Sequence, residues 1–330
     1  MITQKIKVIP KICLISVACI ATTSLYASNK TIQELVDAVN GTPDLKTRDA
    51  GKEAKLRNHA KGFCTSGYFE PNPKLNDELA IPFFNQSKIN VTARFSMGGT
   101  NPHASDKTAG RFMSLKIDGD KENLNFVTTN SPVFFAGNLE DFFTFQVKVK
   151  QGPEGKQWLI DNKPDAKAFF DYVKQLPPSS SFANSPYFGV NSFLFAKNNS
   201  EIIPGRWIFE PVEGVVNLSK AQLADLPDDF LKQELLTRIS QKPAVWNLFI
   251  KLAEKGDEIN DPTVLWPETR QRLLIGQVII NGERDNELTI QECGKGIFNP
   301  VLLPKGITPS ADPILNARTP AYIESFIRRQ

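Results

Sequence analysis

Histidine is scarce in this 330-residue chain: His59 and His103 are the only two. That count excludes a site built from several imidazole ligands, so any acid-base work by histidine falls to a single residue. His103, in the turn-like Thr100-Asn101-Pro102-His103, reads as a surface residue, and His59, between Arg57 and Lys61, has the same bland reading when taken alone. Near the other end, Arg318 precedes Tyr322 by four positions. On a helix that spacing puts both on one face, where a guanidinium favours the phenolate through charge and hydrogen bonding; the ordinary alternative is a surface arginine near a half-buried tyrosine. Cys64 and Cys293, 229 positions apart, have no metal-ligand spacing. They fit either one bridge in an oxidising compartment or two separately buried thiols. The phosphate-loop, dinucleotide, zinc-protease and serine-hydrolase signatures are all missing.

The first 27 residues read as an export signal. Lys5, Lys7 and Lys11 precede an apolar run from Ile12 to Ala21, and Leu25-Tyr26-Ala27 closes the segment with a small residue. The run is half the roughly 20 residues that span a bilayer, so no membrane span is expected. Ser16-Val17-Ala18-Cys19 leaves a lipoprotein alternative open. This leader holds three of the 39 basic residues and none of the 36 acidic ones, so the remainder is balanced in charge. With no basic cluster beyond Arg328-Arg329, no nucleic-acid partner is expected.

The elements that must position these residues are mostly strands and turns, because 23 prolines are scattered along the chain. From Ile89 to Met97 every odd-numbered side chain is apolar and every even one polar, which predicts a strand with one buried face and with Arg94 and Ser96 on the other. Phe112 to Ile117, Leu124 to Thr128 and Val133 to Phe135 read as further strands. Tyr187 to Ala196 and Arg206 to Glu210 read as a hairpin around Lys197-Asn198-Asn199-Ser200. Helices are expected at Thr31 to Asn40, Asp165 to Leu176, Asp228 to Ser240, Ala244 to Lys255 and from Ala311 onward. In the last, Asp312-Pro313 reads as an N-cap and first position, and Pro320 predicts a kink near Asn316. With no internal repeat or long linker, the expectation is a leader at 1–27 and a single α+β domain at 28–330 with an antiparallel sheet or barrel.

His59-Ala60-Lys61-Gly62, followed by Gly67-Tyr68-Phe69-Glu70, resembles the distal-histidine segment of haem catalases. Further matches follow in the same order: Ala93-Arg94-Phe95-Ser96, Asn130-Ser131-Pro132-Val133-Phe134-Phe135, Trp266-Pro267, Gly276 to Asn281, Phe298-Asn299-Pro300, Pro304-Lys305-Gly306-Ile307, and Arg318-Thr319-Pro320-Ala321-Tyr322, similar to the family's proximal R-x-x-x-Y. The chain is far shorter than full-length catalases and most resembles their minimal, exported, periplasmic branch, the catalase-related peroxidases. That resemblance implies a catalase-like antiparallel β-barrel with flanking helices and no C-terminal extension. It also implies haem b with ferric iron on Tyr322, a hard anionic donor.

By the same resemblance, His59 is the proton-transfer residue, Ser96 holds its tautomer, Arg94 and Arg111 reach the haem propionates, Phe135 and Phe142 wall the distal pocket, and Arg318 supports the phenolate of Tyr322. Each has a plainer role as a barrel or core residue. Two positions depart from the family. Thr129 stands where catalases have a peroxide-orienting Asn, with Asn130 one residue on and therefore on the other strand face. Leu56 stands where a propionate-binding Arg is usual, with Arg57 beside it. Thr129 favours reduction of organic peroxides, as well as hydrogen peroxide, by an external small-molecule or protein electron donor. The alternatives are a small true catalase, a fatty-acid hydroperoxide rearrangement on the same scaffold, and a non-enzymatic haem-binding barrel. A monomer or a small homo-oligomer is expected.

Overall fold

Alternation from Ile89 onward produces the strand its period demands. In β2 (Ile89–Ser96), Val91, Ala93 and Phe95 are fully buried, facing inward. The structure, a computed structural model, describes residues 31–40, 58–285, 293 and 296–328. The leader at 1–27, the charged stretch at 44–55, Leu56, Arg57 and Arg329 lie outside the described residues.

The other strands are β1 (Gly62–Pro71), β3 (Phe112–Asp118), β4 (Asn123–Thr129), β5 (Tyr187–Phe188), β6 (Phe193–Ala196), β7 (Ile202–Pro211), β8 (Ala244–Leu252), β9 (Arg272–Ile280) and β10 (Ile307–Pro309). All their pairings are antiparallel. Strands β1 to β5 with β7, β8 and β9 would form an open ladder but for two junctions. The pairing of β9 with both β1 and β8, and of β7 with both β5 and β8, closes the order β1-β2-β3-β4-β5-β7-β8-β9 into an eight-stranded barrel, with β6 continuing along β7 and carrying β10. Closure leaves these strands no free edge. Phe95, Met113, Leu115, Phe126, Phe209, Trp246, Leu248 and Val278 fill the interior.

Helices lie outside: α1 (Ile32–Asn40), α2 (Leu139–Val149), α3 (Pro153–Asn162), α4 (Pro164–Gln175), α5 (Lys220–Asp225), α6 (Phe230–Ile239) and α7 (Pro313–Ile327). None of the described helices is long and apolar enough to cross a membrane. Thr31 and Glu34 cap the start of α1 reciprocally, with Glu34 N–H donating to Thr31 Oγ1 and Thr31 N–H to Glu34. Helix α7 starts as read: Asp312 accepts from the backbone N–H of Ile314 and Leu315, and Pro313 occupies the first position. It runs through Pro320 to Ile327 as one element.

Two expectations fail. Ala244 to Lys255 is no helix but strand β8 through Leu252, because the three- and four-residue spacings there coincide with a true period of two: Ala244, Trp246, Leu248 and Ile250 are buried, while Val245, Asn247 and Phe249 are half-buried on the other face. Val133 to Phe135 is not a strand, since Pro132 removes a donor and the Ser131 hydroxyl binds locally to Val133 N–H and C=O. Helices α2, α3 and α5 lie outside the expected ones, although Asn138 caps α2 by accepting from Asp141 N–H and Ser219 caps α5 by accepting from Gln222 N–H.

Candidate active site

The outer face of the barrel, where an alternating strand ordinarily meets water, is covered at one end. In β2 the outward residues Arg94 and Ser96 are only 8% and 2% exposed. Pairing aligns Cys64, Arg94, Ser114 and Val127 in one cross-strand row, and Gly62, Ser96, Phe112, Thr129 and Phe188 in the next. From these rows Arg94, Ser114, Val127, Phe112, Thr129 and Phe188 floor a cavity of about 540 Å³, and α1, α2, α4 and α7 roof it. Its wall carries His59, Arg94, Phe112, Thr129, Phe135, Phe142, Arg318 and Tyr322, so residues read from opposite ends of the chain meet in one space.

His59 sits just before β1 in the left-handed backbone region, at φ 56°, a conformation that costs a non-glycine residue about 1–3 kcal/mol and persists only where the surroundings fix it. Here they do. Its N–H donates to Asn58 Oδ1 (3.0 Å), its carbonyl accepts from Arg94 Nη2 (2.6 Å), and its ring meets Phe112 edge-on at 4.3 Å. Nδ1 lies 3.2 Å from the carbonyl oxygen of Met97. A carbonyl only accepts, so this contact puts the proton on Nδ1 and leaves Nε2 with its lone pair in the neutral ring. The Met97 carbonyl thus takes the place expected for the hydroxyl of Ser96, which lies buried one residue earlier. Gly62 completes the approach, because a Cβ there would stand 2.7 Å from Arg94 Nη2 and from the Phe95 carbonyl.

Arg111 is corrected. It is fully buried and does not line the cavity. Its guanidinium donates to the carbonyls of Asp106, Gly110 and Ser179 and to Ser179 Oγ, and burial pushes its pKa down to about 10, partly offset by Tyr187 and Asp106. All this makes Arg111 a pin for the loop before β3, not a ligand for an outside anion. Asn130 is likewise occupied: it accepts from Arg111 N–H at 2.9 Å and donates to the Ala109 carbonyl at 2.8 Å. Thr129, on the opposite strand face, is the residue that reaches the cavity.

On α7, Arg318 Nη1 donates to Tyr322 Oη at 3.1 Å, which is the contact the four-residue spacing predicts. The chain continues where sequence reading stopped. Arg318 Nη2 donates to Asn191 Oδ1 (3.1 Å), and Asn191 Nδ2 donates to Asp312 Oδ2 (2.6 Å), while Asp312 Oδ1 caps the helix. Burial raises the Asp312 carboxyl above its ordinary range, against the donors from Asn191, Leu315 and Ile314 and the charge of Arg318. Phe112, Asn191 and Asp312 are the site residues that were missed. The N-cap role of Asp312 was legible, but its second partner, 121 positions away, was not.

Aromatic rings fill one side of the cavity. Phe135 stacks on Phe145 at 3.9 Å and on Phe142 at 5.4 Å, with Phe169 edge-on at 5.6 Å. Helix α1 is held over this side by the Arg328–Asp37 ion pair and by Asn40, which donates to Ser325 and accepts from Asn58 N–H. A flat, mostly apolar group with acidic edges and a metal that accepts an oxygen donor fits this donor set. Phe rings supply faces, Arg94 a cation, and Tyr322 a phenol beside a guanidinium. No described group of three or more His, Cys, Asp or Glu could hold a metal by itself.

A family model described as Catalase matches residues 51–330. A catalase-related peroxidase of Synechococcus elongatus is 30% identical over 321 residues, covering 94% of this chain and 92% of its own length. A second, from Mycolicibacterium paratuberculosis, is 26% identical, covering 89% of this chain and 93% of its own length. A peroxisomal catalase of Toxoplasma gondii is 24% identical over 82% of this chain, which spans 58% of that protein. Among solved structures, catalase A of Saccharomyces cerevisiae superposes with a TM-score of 0.73 at 20% identity over 82% of this chain and 60% of its own.

Proposed function

This chain belongs to the catalase family, and from that premise we propose that it is a haem b peroxidase that reduces organic peroxides, and hydrogen peroxide, with electrons from an external donor. One observation carries the reading: a histidine whose Nδ1 proton faces a carbonyl and a tyrosine paired to an arginine share one Phe-lined cavity.

Tyr322 and Arg94 would hold the haem, by the iron and by a propionate, with Phe135 and Phe142 against it. When bound, the haem supplies the iron that accepts a peroxide and takes up two oxidising equivalents. The protein's part is proton handling and exclusion of water. His59 Nε2 receives a proton from one peroxide oxygen and returns it to the other, so that the leaving group departs as water or an alcohol; an imidazole suits both steps near neutrality. Asn58, Arg94 and Phe112 fix its backbone and ring, so little reorganisation accompanies the transfer. The Asp312-Asn191-Arg318 chain fixes the guanidinium whose Nη1 donates to the phenol oxygen of Tyr322.

Thr129 supports peroxidase work over dismutation. Its β-branched hydroxyl cannot place an amide donor in the cavity, and Asn130 is held by Arg111 and Ala109 on the other face. The Cys64–Cys293 disulfide supports export to an oxidising compartment, the periplasm.

The test is Tyr322→Phe with absorption spectra taken before and after peroxide addition. The native protein is expected to show a ferric haem spectrum that changes with peroxide, and the variant to lose most haem or to change spectrum markedly. An unaltered haem content and spectrum in Tyr322→Phe would overturn the assignment.

A further inference from the structure

Cys64 and Cys293 form a disulfide, and its position is more informative than its existence. Cys64 stands in the row Cys64-Arg94-Ser114-Val127 on the barrel face that floors the cavity, five residues after His59. Cys293 itself lines the cavity, as do Gly296, Ile297 and Phe298. Phe298, 8% exposed, packs with both half-cystines and with Val127. At the far end, Asn299 Nδ2 donates to Thr319 Oγ1 at 3.0 Å, and Thr319 lies between Arg318 and Tyr322. The segment 296–299 is therefore fastened at one end to the strand that follows His59 and at the other to the helix that carries Tyr322.

We propose that the Cys64–Cys293 bridge and the Asn299–Thr319 pair are the two fastenings of a strap, residues 296–299, that closes one wall of the cavity and sets how firmly the haem is retained. This rests on the haem reading given above. Cys64, Cys293, Asn299 and Thr319 are positioning residues: they act through Ile297 and Phe298, which line the cavity. A bridge joining any two remote points of the chain would stabilise the fold by restricting the unfolded state. This one also ties down a wall of the site, so breaking it speeds the loss of the group beyond what lower stability explains.

The experiment uses the holoprotein and follows transfer of haem to excess apomyoglobin well below the unfolding midpoint. Cys64→Ser/Cys293→Ser is expected to release haem at least about tenfold faster, since changes in retention fall mostly on the off-rate. Thr319→Val is expected to speed release in the same direction with the bridge intact, and to add less in the Ser/Ser background, because both changes free one strap. Leu231→Ala, a truncation in the core side of α6 away from the cavity lining, serves as the control that lowers the melting temperature without loosening the strap. Hydrogen exchange of the haem-free protein gives a second readout, with amides at 296–299 expected to exchange faster in the Ser/Ser variant than in the native chain.

Equal release from native and Ser/Ser protein, or equal acceleration by Leu231→Ala at matched melting temperature, would overturn the strap and leave the functional reading standing. A native protein that takes up no haem in either redox state would overturn the functional reading, and the strap with it.

Discussion

Asp312→Asn is the substitution that separates stability from positioning in this site. Native Asp312 uses one carboxylate oxygen to cap α7 and the other to accept from Asn191 Nδ2, whose own Oδ1 accepts from Arg318. The chain of hydrogen bonds has a direction, with every donor pointing toward Asp312. Asn at position 312 keeps an oxygen for the cap, and Asn is as good an N-cap as Asp, but it presents an NH₂ group to the NH₂ of Asn191. Turning Asn191 over relieves that clash and moves the same conflict to Arg318. Either way one buried hydrogen bond is lost, at about 1–3 kcal/mol for a group left without a partner. With a melting shift of roughly 2–4 °C per kcal/mol for a domain of this size, the expected drop is between about 2 and 12 °C. Asp312→Ala loses the cap as well, a further ~1 kcal/mol. The decisive assay is the visible spectrum of the haem-loaded protein. If haem binds through Tyr322 as proposed, Asp312→Asn is expected to alter the phenolate-to-iron charge-transfer band while costing less stability than Asp312→Ala. If the band in Asp312→Asn is indistinguishable from native, the three-residue chain does not position Arg318, and the reasoning fails.

Other outcomes follow from the same geometry. His59→Ala should keep its haem and lose peroxidase turnover by at least ~10²-fold, the lower end for general acid-base catalysis, as read by organic-peroxide-dependent oxidation of a donor dye; comparable turnover would favour a haem carrier. Thr129→Asn should raise oxygen evolution from hydrogen peroxide, measured with an oxygen electrode, with haem content unchanged, whereas vigorous oxygen evolution by the native protein would put dismutation first. Arg111→Met should lower stability by about 1–3 kcal/mol for each buried carbonyl left without a partner, yet leave haem affinity intact in the folded fraction; selective loss of haem would restore Arg111 to the site. Because burial raises the Asp312 carboxyl above its ordinary 3.8, its contribution to stability is full below that value and is lost as pH rises through the raised one. The melting temperature of Asp312→Asn relative to native should therefore climb with pH from about 4 upward, and a flat difference would remove the shift.

The sequence by itself determined the elements whose side-chain period is unambiguous and the site residues that are near neighbours on them. β2 follows from strict alternation, and the Arg318–Tyr322 contact follows from a four-residue spacing on a helix whose cap, Asp312-Pro313, is written locally. Even the irrelevance of Asn130 to the cavity was legible, because one residue along a strand reverses the face. In β8 the pattern Ala244-Trp246-Leu248-Ile250 satisfies two periods at once, and only the flanking strands β7 and β9, which hydrogen-bond it on both sides, decide for the strand. Partners distant in sequence were decided by tertiary structure alone: the Met97 carbonyl at His59, Asn191 between Asp312 and Arg318, and Cys293 against Cys64. The fate of Arg111 shows the physical reason. A buried guanidinium goes to the acceptors around it, and those carbonyls, from Asp106 to Ser179, are backbone groups that every residue carries and whose placement the fold alone sets.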